Sequence, residues 1–341
     1  MIDNEVLQKI GASRPGEKEL TVEDLMRSKM SVADLYENQT FLLTYKDRSF
    51  LRKGDIMAVK GRAKSGKTHF IIILLAALLR GSFAMYKALE DNLTTLIIDT
   101  EQGMSTFQTM IKKALRMAGF PDDRDNDKLL TFNFRDFSAN ERLEAVTMLM
   151  NIYSPNVLII DGVRDLITDF NDISQSSKVV NLLMKLSRQK KCAIITVLHE
   201  NKADNNMRGH LGTELLNKCS DVFQVSRSGN DEGSYYKVSQ TDTRNLPVED
   251  FTFQIREDGL PQEVFVEAPL TPSEKRKNTI IENFNRFMEP GTSLTYTKMI
   301  SSYMEATGLA EATAKKHLPE AMNLGILIKN GDEYCRRIYM G

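Results

Sequence analysis

The chain has 341 residues, 41 % of them apolar and 27 % charged, with a formal net charge of −1. That stock suffices for one large domain with a small one beside it, or for two domains. It excludes a global basic field, so any nucleic-acid contact must rest on a local patch. No stretch is long and apolar enough to span a bilayer, so no membrane partner is expected. Cys192, Cys219 and Cys335 share no short pairing or metal spacing. They read as reduced thiols, the N-terminus lacks a signal-peptide pattern, and the expected compartment is the cytoplasm.

Residues 1–44 read as an N-terminal arm with short helices. Thr21-x-x-Asp24 is a loose capping box ahead of Leu25 and Met26, and Ser31 is a second cap, for a helix through Leu35. A packing lid and a partner-binding arm both fit this segment.

The stretch from Asp55 to Thr68 organises the rest. An apolar run, Ile56 to Val59, breaks at Gly61, and Gly66, Lys67 and Thr68 complete G-x-x-x-x-G-K-[ST]. Phe70 to Leu79 then reads as an unbroken apolar helix, buried on every side. Strand, glycine loop and helix in this order form a phosphate cradle: the loop Gly61, Arg62, Ala63, Lys64, Ser65, Gly66, Lys67, Thr68 and the neighbouring His69 turn backbone N–H groups inward. The helix aims its positive end at the same anion. Lys67 is expected to bridge the β- and γ-phosphates of ATP, and Thr68 to ligate Mg²⁺.

Further along, Thr94 to Asp99 is a buried strand with Glu101 just past its end. Ser105 opens a helix to about Ala118. Leu129 to Phe134 is a strand, and Asn140 to Tyr153 a helix. Val157 to Asp161 is a wholly apolar strand ending in a carboxylate. Ser174 caps a helix to about Gln189, and Ala193 to Leu198 is the next strand. Strands alternating with helices of this length predict a parallel sheet covered on both faces, an α/β fold. From Val222 the pattern changes to short strands (Val222 to Val225, Tyr235 to Ser239, Phe251 to Ile255). Turns at Ser228-Gly229-Asn230 and Asp258-Gly259 join them as edge hairpins.

Residues 268–277, with two prolines and a charge run, read as a linker from a domain over 45–267 to a small one over 278–341. The latter holds a helix from Asn278 to Met288, a break at Glu289-Pro290-Gly291, and a helix from Thr295 to Met304. A turn at Thr307-Gly308-Leu309, a third helix from near Ala310 and a terminal hairpin (Ile326 to Ile328, Arg336 to Tyr339) complete it. This α+β order resembles a winged helix-turn-helix. Its third helix would carry Lys315 and Lys316 to DNA, but the tail is charge-balanced and docking to a protein fits equally. Pro319 is expected to bend or end that helix.

Hydrolysis also needs a carboxylate on Mg²⁺ and a group that orients water. Asp161 is the candidate for the first, with Asp99 as the alternative. The residue after Asp161 is Gly162, so a paired Asp-Glu is missing. Glu101 is the candidate for the second role, capping of its loop being the other reading.

These pieces resemble the RecA-fold ATPases, in the group of RepA-type plasmid helicases, DnaB-type helicases and RadA/KaiC-like ATPases. Gly61 to Thr68, Ile98 to Gly103, Leu158 to Leu166, Val197 to Lys202 and Arg208 to Thr213 carry the likeness, over roughly residues 45–265. It implies a RecA-like sheet with catalytic Glu101 and Lys67, Mg²⁺ on Thr68 and Asp161, and His199 as a γ-phosphate sensor. It also implies a loop, Glu200 to Gly212, in which Lys202, Arg208 and His210 meet single-stranded DNA. The matching loop after Asp161, Thr168 to Ser176, is acidic at Asp169 and Asp172. Arg244 falls where the family keeps a finger that reaches into a neighbouring subunit, with Asp242 at its usual lysine position. A surface hairpin arginine is the other reading. The implied assembly is a homo-oligomer, a hexamer.

Overall fold

The computed structural model describes residues 21–33, 35, 38–169, 171–200, 209–230, 233–266 and 272–337. The chain divides into two compact units, Met1–Phe265 and Val266–Gly341.

In the first unit, helix α1 is Val22–Ser28, and Thr21 and Asp24 close both hydrogen bonds of the capping box. The second expected helix does not follow Ser31. A turn over 32–33 stands there, and residue 34 lies outside the described residues. The arm also ends earlier than expected, because Phe41–Tyr45 (β1) and Arg48–Arg52 (β2) pair as an antiparallel hairpin. Their apolar pairs Leu42–Leu43 and Phe50–Leu51 are buried. Each run is too short to register as a strand by pattern alone.

Strand β3 (Ile56–Gly61) leads into α2 (Lys67–Arg80), followed by β4 (Ser82–Phe83) and β5 (Tyr86–Ala88). These two short strands join the hairpin in a four-stranded sheet of order β2-β1-β5-β4. That sheet explains the apolar helix. Residues Phe70 to Leu79 are all buried, and their core is shared with Leu42, Phe50 and Tyr86 of the small sheet and with Val59 and Ile97 of the large one. A helix covered on both sides has no solvent face to make polar.

The remaining strands are β6 (Thr95–Asp99), β7 (Leu129–Asn133), β8 (Val157–Asp161), β9 (Ala193–His199), β10 (Asp221–Asn230), β11 (Gly233–Thr243), β12 (Phe251–Ile255) and β13 (Pro261–Glu263). With β3 they form a nine-stranded sheet of order β13-β12-β11-β10-β3-β9-β8-β6-β7. The strands from β10 to β7 in that order run parallel, and β11, β12 and β13 extend one edge antiparallel. Helices α3 (Met104–Ala118), α4 (Ala139–Tyr153), α5 (Ile173–Lys190) and α6 (Gly209–Lys218) complete the layers. One core lies under α2 and α3, the other under α4, α5 and α6. The RecA-like α/β architecture is thus present.

Two helices start a residue or two earlier than expected. Gly103 precedes α3 in place of Ser105. Asp172, not Ser174, caps α5, its Oδ1 accepting from the Gln175 N–H at 3.0 Å. The expected turn at Ser228 to Asn230 is strand instead: Gly229 pairs with Ser234 and Asn230 with Gly233. Glycine and asparagine there sit in a two-stranded ribbon that outruns its neighbours, since β3 stops pairing β10 at Gln224. The Asp258-Gly259 turn stands, with Gly259 at φ +75°.

In the second unit, α7 (Pro272–Asn285) starts inside the expected linker, because proline is tolerated in a first helical turn. Strand β14 (Ser293–Thr295), α8 (Tyr296–Thr307), α9 (Glu311–Asn323), β15 (Leu327–Asn330) and β16 (Glu333–Arg336) follow. Their sheet order, β14-β16-β15, completes the winged-helix-like arrangement. Pro319 lies inside α9, which continues to Asn323. The proline is exposed, and Leu318 and Ala321 on either side of it are buried. Packing thus holds the helix where local propensity would end it. Tyr339 of the expected hairpin lies outside the described residues.

Candidate nucleotide site

The loop after β3 is shaped by close approach. A Cβ on Gly61 would meet the Val225 carbonyl oxygen at 2.4 Å and Ser65 Oγ at 2.5 Å. Gly66 has φ +97°, and a Cβ there would meet the Tyr236 ring at 2.4 Å. Gly66 is also the N-cap of α2 and offers no side-chain acceptor. The first N–H groups of that helix therefore await another partner.

Lys67 folds back into the loop. Its Nζ donates to the carbonyls of Gly61 and Arg62, both at 2.9 Å, and lies 3.1 Å from His199 Nδ1. Burial lowers its pKa, while Asp161, Glu101 and Glu200 oppose that shift. Ser65 Oγ is buried without a hydrogen-bond partner.

Strand order supplies the acidic side. Strand β9 separates β3 from β8, and Gly61 is level with His199, Asp161 with Val197, and Asp99 with Asp161. One cleft of about 310 Å³ is lined by Lys64 to His69, Glu101, Gln102, Asp161, His199 and Tyr236, among others. Burial, with Asp99 and Glu101 nearby, pushes the Asp161 carboxyl up to about 7. The hydrogen bond from His199 holds the Glu101 carboxyl below the usual range, against burial.

Asp99 has a different task. Its Oδ1 accepts from the N–H groups of Glu101 at 3.0 Å and Gln102 at 2.7 Å, and its Oδ2 from Gln102 Nε2 at 2.7 Å. It builds the turn that presents Glu101. Gly162 has φ +90°, and a Cβ there would lie 2.8 Å from Glu101 Cγ and 2.2 Å from Thr100 Oγ1. The missing acid after Asp161 is thus matched by an acid that enters from the neighbouring strand.

The residues fit a nucleoside triphosphate with Mg²⁺. The Lys67 ammonium, the unpartnered Ser65 hydroxyl and the uncapped helix end suit phosphate oxygens, and Thr68 and Asp161 offer oxygen ligands to the metal. Arg62 and Ala63 are exposed in the loop and do not line the cleft.

Several expected site residues lie elsewhere. Arg244 is exposed, its N–H bonded to the Ser220 carbonyl at 3.0 Å. Ser220 precedes β10, whose first residue is level with Met57, so Arg244 sits at the opposite end of the sheet from its own P-loop. His210 is exposed in the first turn of α6, which begins inside the expected loop, and Lys202 and Arg208 lie outside the described residues. Lys315 pairs with Glu311 at 2.7 Å and Lys316 is exposed, both on α9.

Tyr236 and Gln102 line the cleft although the sequence pattern did not single them out. Tyr236 stacks on Phe253 (centroids 5.1 Å apart, 17° between planes) and faces His69 at 6.2 Å. The signal was the period-2 aromatics of two edge strands, Tyr236 with Phe251 and Phe253.

Residues 21–205, more than half of the chain, match the AAA domain. The chain belongs to the AAA-domain family. No curated protein matches it. Membership makes this AAA domain a nucleotide-binding domain of ATPase type, in keeping with the cleft around Lys67. Among the described residues no helix of the AAA protein is long and apolar enough to cross a membrane.

Proposed function

We propose that the chain is a Mg²⁺-dependent ATPase that acts on DNA as a homo-hexameric, RepA-like replicative helicase of a plasmid or mobile element. The observation that supports it most is the meeting of Glu101 and Asp161, from two neighbouring strands, with Lys67 in one cleft bridged by His199.

In this reading Lys67 exchanges the Gly61 and Arg62 carbonyls for phosphate oxygens of ATP. Thr68 and Asp161 would hold Mg²⁺, which would supply positive charge against the phosphate oxygens. Glu101, kept ionised by His199, accepts a hydrogen bond from the attacking water and orients it. Lys67 is shared between the phosphate cradle and His199, so arrival of a γ-phosphate draws it from the imidazole and alters the hold on Glu101. His199 thereby reports the nucleotide to the segment after Glu200. Arg244 completes the site of the next copy, and Lys202, Arg208 and His210 meet single-stranded DNA. Lys315 and Lys316 give the winged-helix-like unit a second contact.

The test is ATP hydrolysis with and without single-stranded DNA. The wild type is expected to be stimulated, and Glu101→Gln to lose about 10²-fold or more. Absent stimulation, with both proteins equally active, removes the reading. A second reading, a nucleotide-switched DNA-binding regulator, draws support from the loop after Asp161. There Asp169 binds the Asn171 N–H at 2.9 Å and Asp172 caps α5, so both acids serve the loop itself. A forked duplex separates the two: a helicase opens it, while a regulator protects a duplex site without unwinding.

A further inference from the structure

At the end of the sheet away from the P-loop lies a second cavity, of about 420 Å³. Two turns build it. The β2–β3 turn supplies Arg52, Lys53 and Asp55, and the α5–β9 turn supplies Arg188 and Lys191. The backbone ties them together. The Gly54 N–H donates to the Cys192 carbonyl at 3.2 Å, Ser187 Oγ to the Asp55 carbonyl at 3.1 Å, and the Ile194 N–H to the same carbonyl at 3.0 Å. The Lys53 N–H, bonded to the Thr40 carbonyl at 2.9 Å, pins the third wall. Gly54 has φ +77°, a conformation that makes this tight junction possible.

Charge in the cavity is one-sided: four cations line it with one carboxylate, Asp55. Arg52 pairs with Asp55, and Lys53 with Glu90 at 2.6 Å. Among the described residues no ion pair engages Arg188, which is exposed. The dipole of α5 accounts for a cation in its last turn. It does not account for Arg52 and Lys53 converging on the same cavity from a different turn. The rest of the lining is neutral and polar, with Thr40 among it, and holds no aromatic ring. A site with cations and hydrogen-bonding groups but no stacking surface recognises phosphates, not bases.

We propose that this cavity binds the sugar–phosphate backbone of a single DNA strand, independently of sequence. The inference rests on the reading of the chain as a protein that acts on DNA, and it adds a contact remote from the segment after His199. Salt bridges to phosphates release counterions, so each contact carries a slope in the salt dependence of binding.

The experiment is fluorescence anisotropy of a labelled oligothymidylate and a mixed-sequence strand against the full chain over a range of salt. The variants are Arg188→Glu/Lys191→Glu and the milder Arg188→Gln/Lys191→Gln, with circular dichroism to establish that both fold. The charge reversal is expected to weaken both strands alike, by about tenfold or more at low salt, and to make the logarithmic salt slope shallower by about 1.4. The glutamine variant should fall between it and the wild type. A wild type that binds with both variants matching its affinity and slope overturns the cavity assignment alone. A wild type that binds no DNA overturns it together with the reading beneath it.

Discussion

Lys67 Nζ lies 3.1 Å from His199 Nδ1, and His199 Nε2 lies 3.4 Å from Glu101 Oε2. An ammonium can only donate, so Nδ1 accepts and the ring proton sits on Nε2, directed at the carboxylate. That contact is the largest cause of the lowered Glu101 pKa. Removing it in His199→Ala raises the pKa, so the acidic limb of the kcat/KM profile should move to higher pH. The maximal rate should fall by about 10-fold to 10²-fold. His199→Gln, able to donate and accept, should restore part of both. An acidic limb that stays in place would mean that His199 does not set the ionisation of Glu101.

Asp161 predicts a pH-dependent stability of the nucleotide-free protein. Its carboxyl is raised from 3.8 to about 7, chiefly by burial. The folded chain therefore holds this proton more tightly than the unfolded one. The associated stability is fully present below about pH 4 and lost as pH rises through about 7. The displacement is worth up to about 4 kcal/mol. Asp161→Asn removes the buried charge, so it should melt several degrees above wild type at about pH 8 and show little advantage at about pH 4. The same variant should lose Mg²⁺-dependent nucleotide binding. An equal difference at both pH values would refute the linkage.

The parallel sheet, the P-loop and the two acid-bearing strand ends were legible because each is local. A continuous apolar run ending in Asp needs no partner to be read. What escaped depended on contacts across the chain. Leu42–Leu43 and Phe50–Leu51 become strands only because α2 has a second face to cover. Asp99 is the sequence's alternative to Asp161 for a metal, and only the hydrogen bonds from Glu101 and Gln102 assign it to the turn. Tyr236 reaches the cleft because the β10–β11 ribbon runs past the end of β3, a length that no periodicity encodes.

The ring of Tyr236 presses on Gly66, stacks on Phe253 and faces His69. Tyr236→Ala should weaken nucleotide binding by about 1 kcal/mol, or roughly fivefold, as measured by calorimetry. Gly66→Ala is worse: it adds a clash at 2.4 Å to a backbone at φ +97°. Combining it with Tyr236→Ala should relieve the clash but not the strain, leaving the double variant short of wild-type affinity.

In the second unit Asn283 Nδ2 donates to the Tyr303 hydroxyl at 2.7 Å, and that hydroxyl lies 2.6 Å from His317 Nδ1. Asn283 and Tyr303 are buried. Burial also lowers the His317 pKa, and the hydroxyl, which accepts from Asn283, has its own proton to give to Nδ1. Tyr303→Phe keeps the ring but strands the Asn283 amide, at a cost of about 1–3 kcal/mol. Hydrogen exchange in residues 272–337 should quicken accordingly, with residues 56–61 unaffected. Uniform protection would show that the amide finds another acceptor.

Arg244 lies at the end of the sheet remote from Lys67, exposed, with its guanidinium donating to the Asn217 carbonyl at 3.3 Å. From there it cannot serve the nucleotide of its own chain. If it acts on a neighbour's, Arg244→Ala and Lys67→Ala should each abolish DNA-stimulated hydrolysis, and for different reasons. The first keeps an intact cradle but supplies no finger, while the second supplies a finger but has no cradle. Mixing the two before assembly places some intact cradles beside intact fingers, and those junctions should regain activity in proportion to their number. The regain should peak at a mixing ratio near one to one and vanish if the proteins are assembled separately and then combined. An Arg244→Ala protein of wild-type activity, or a mixture as inactive as its components, would assign the arginine to the surface of a hairpin and nothing more.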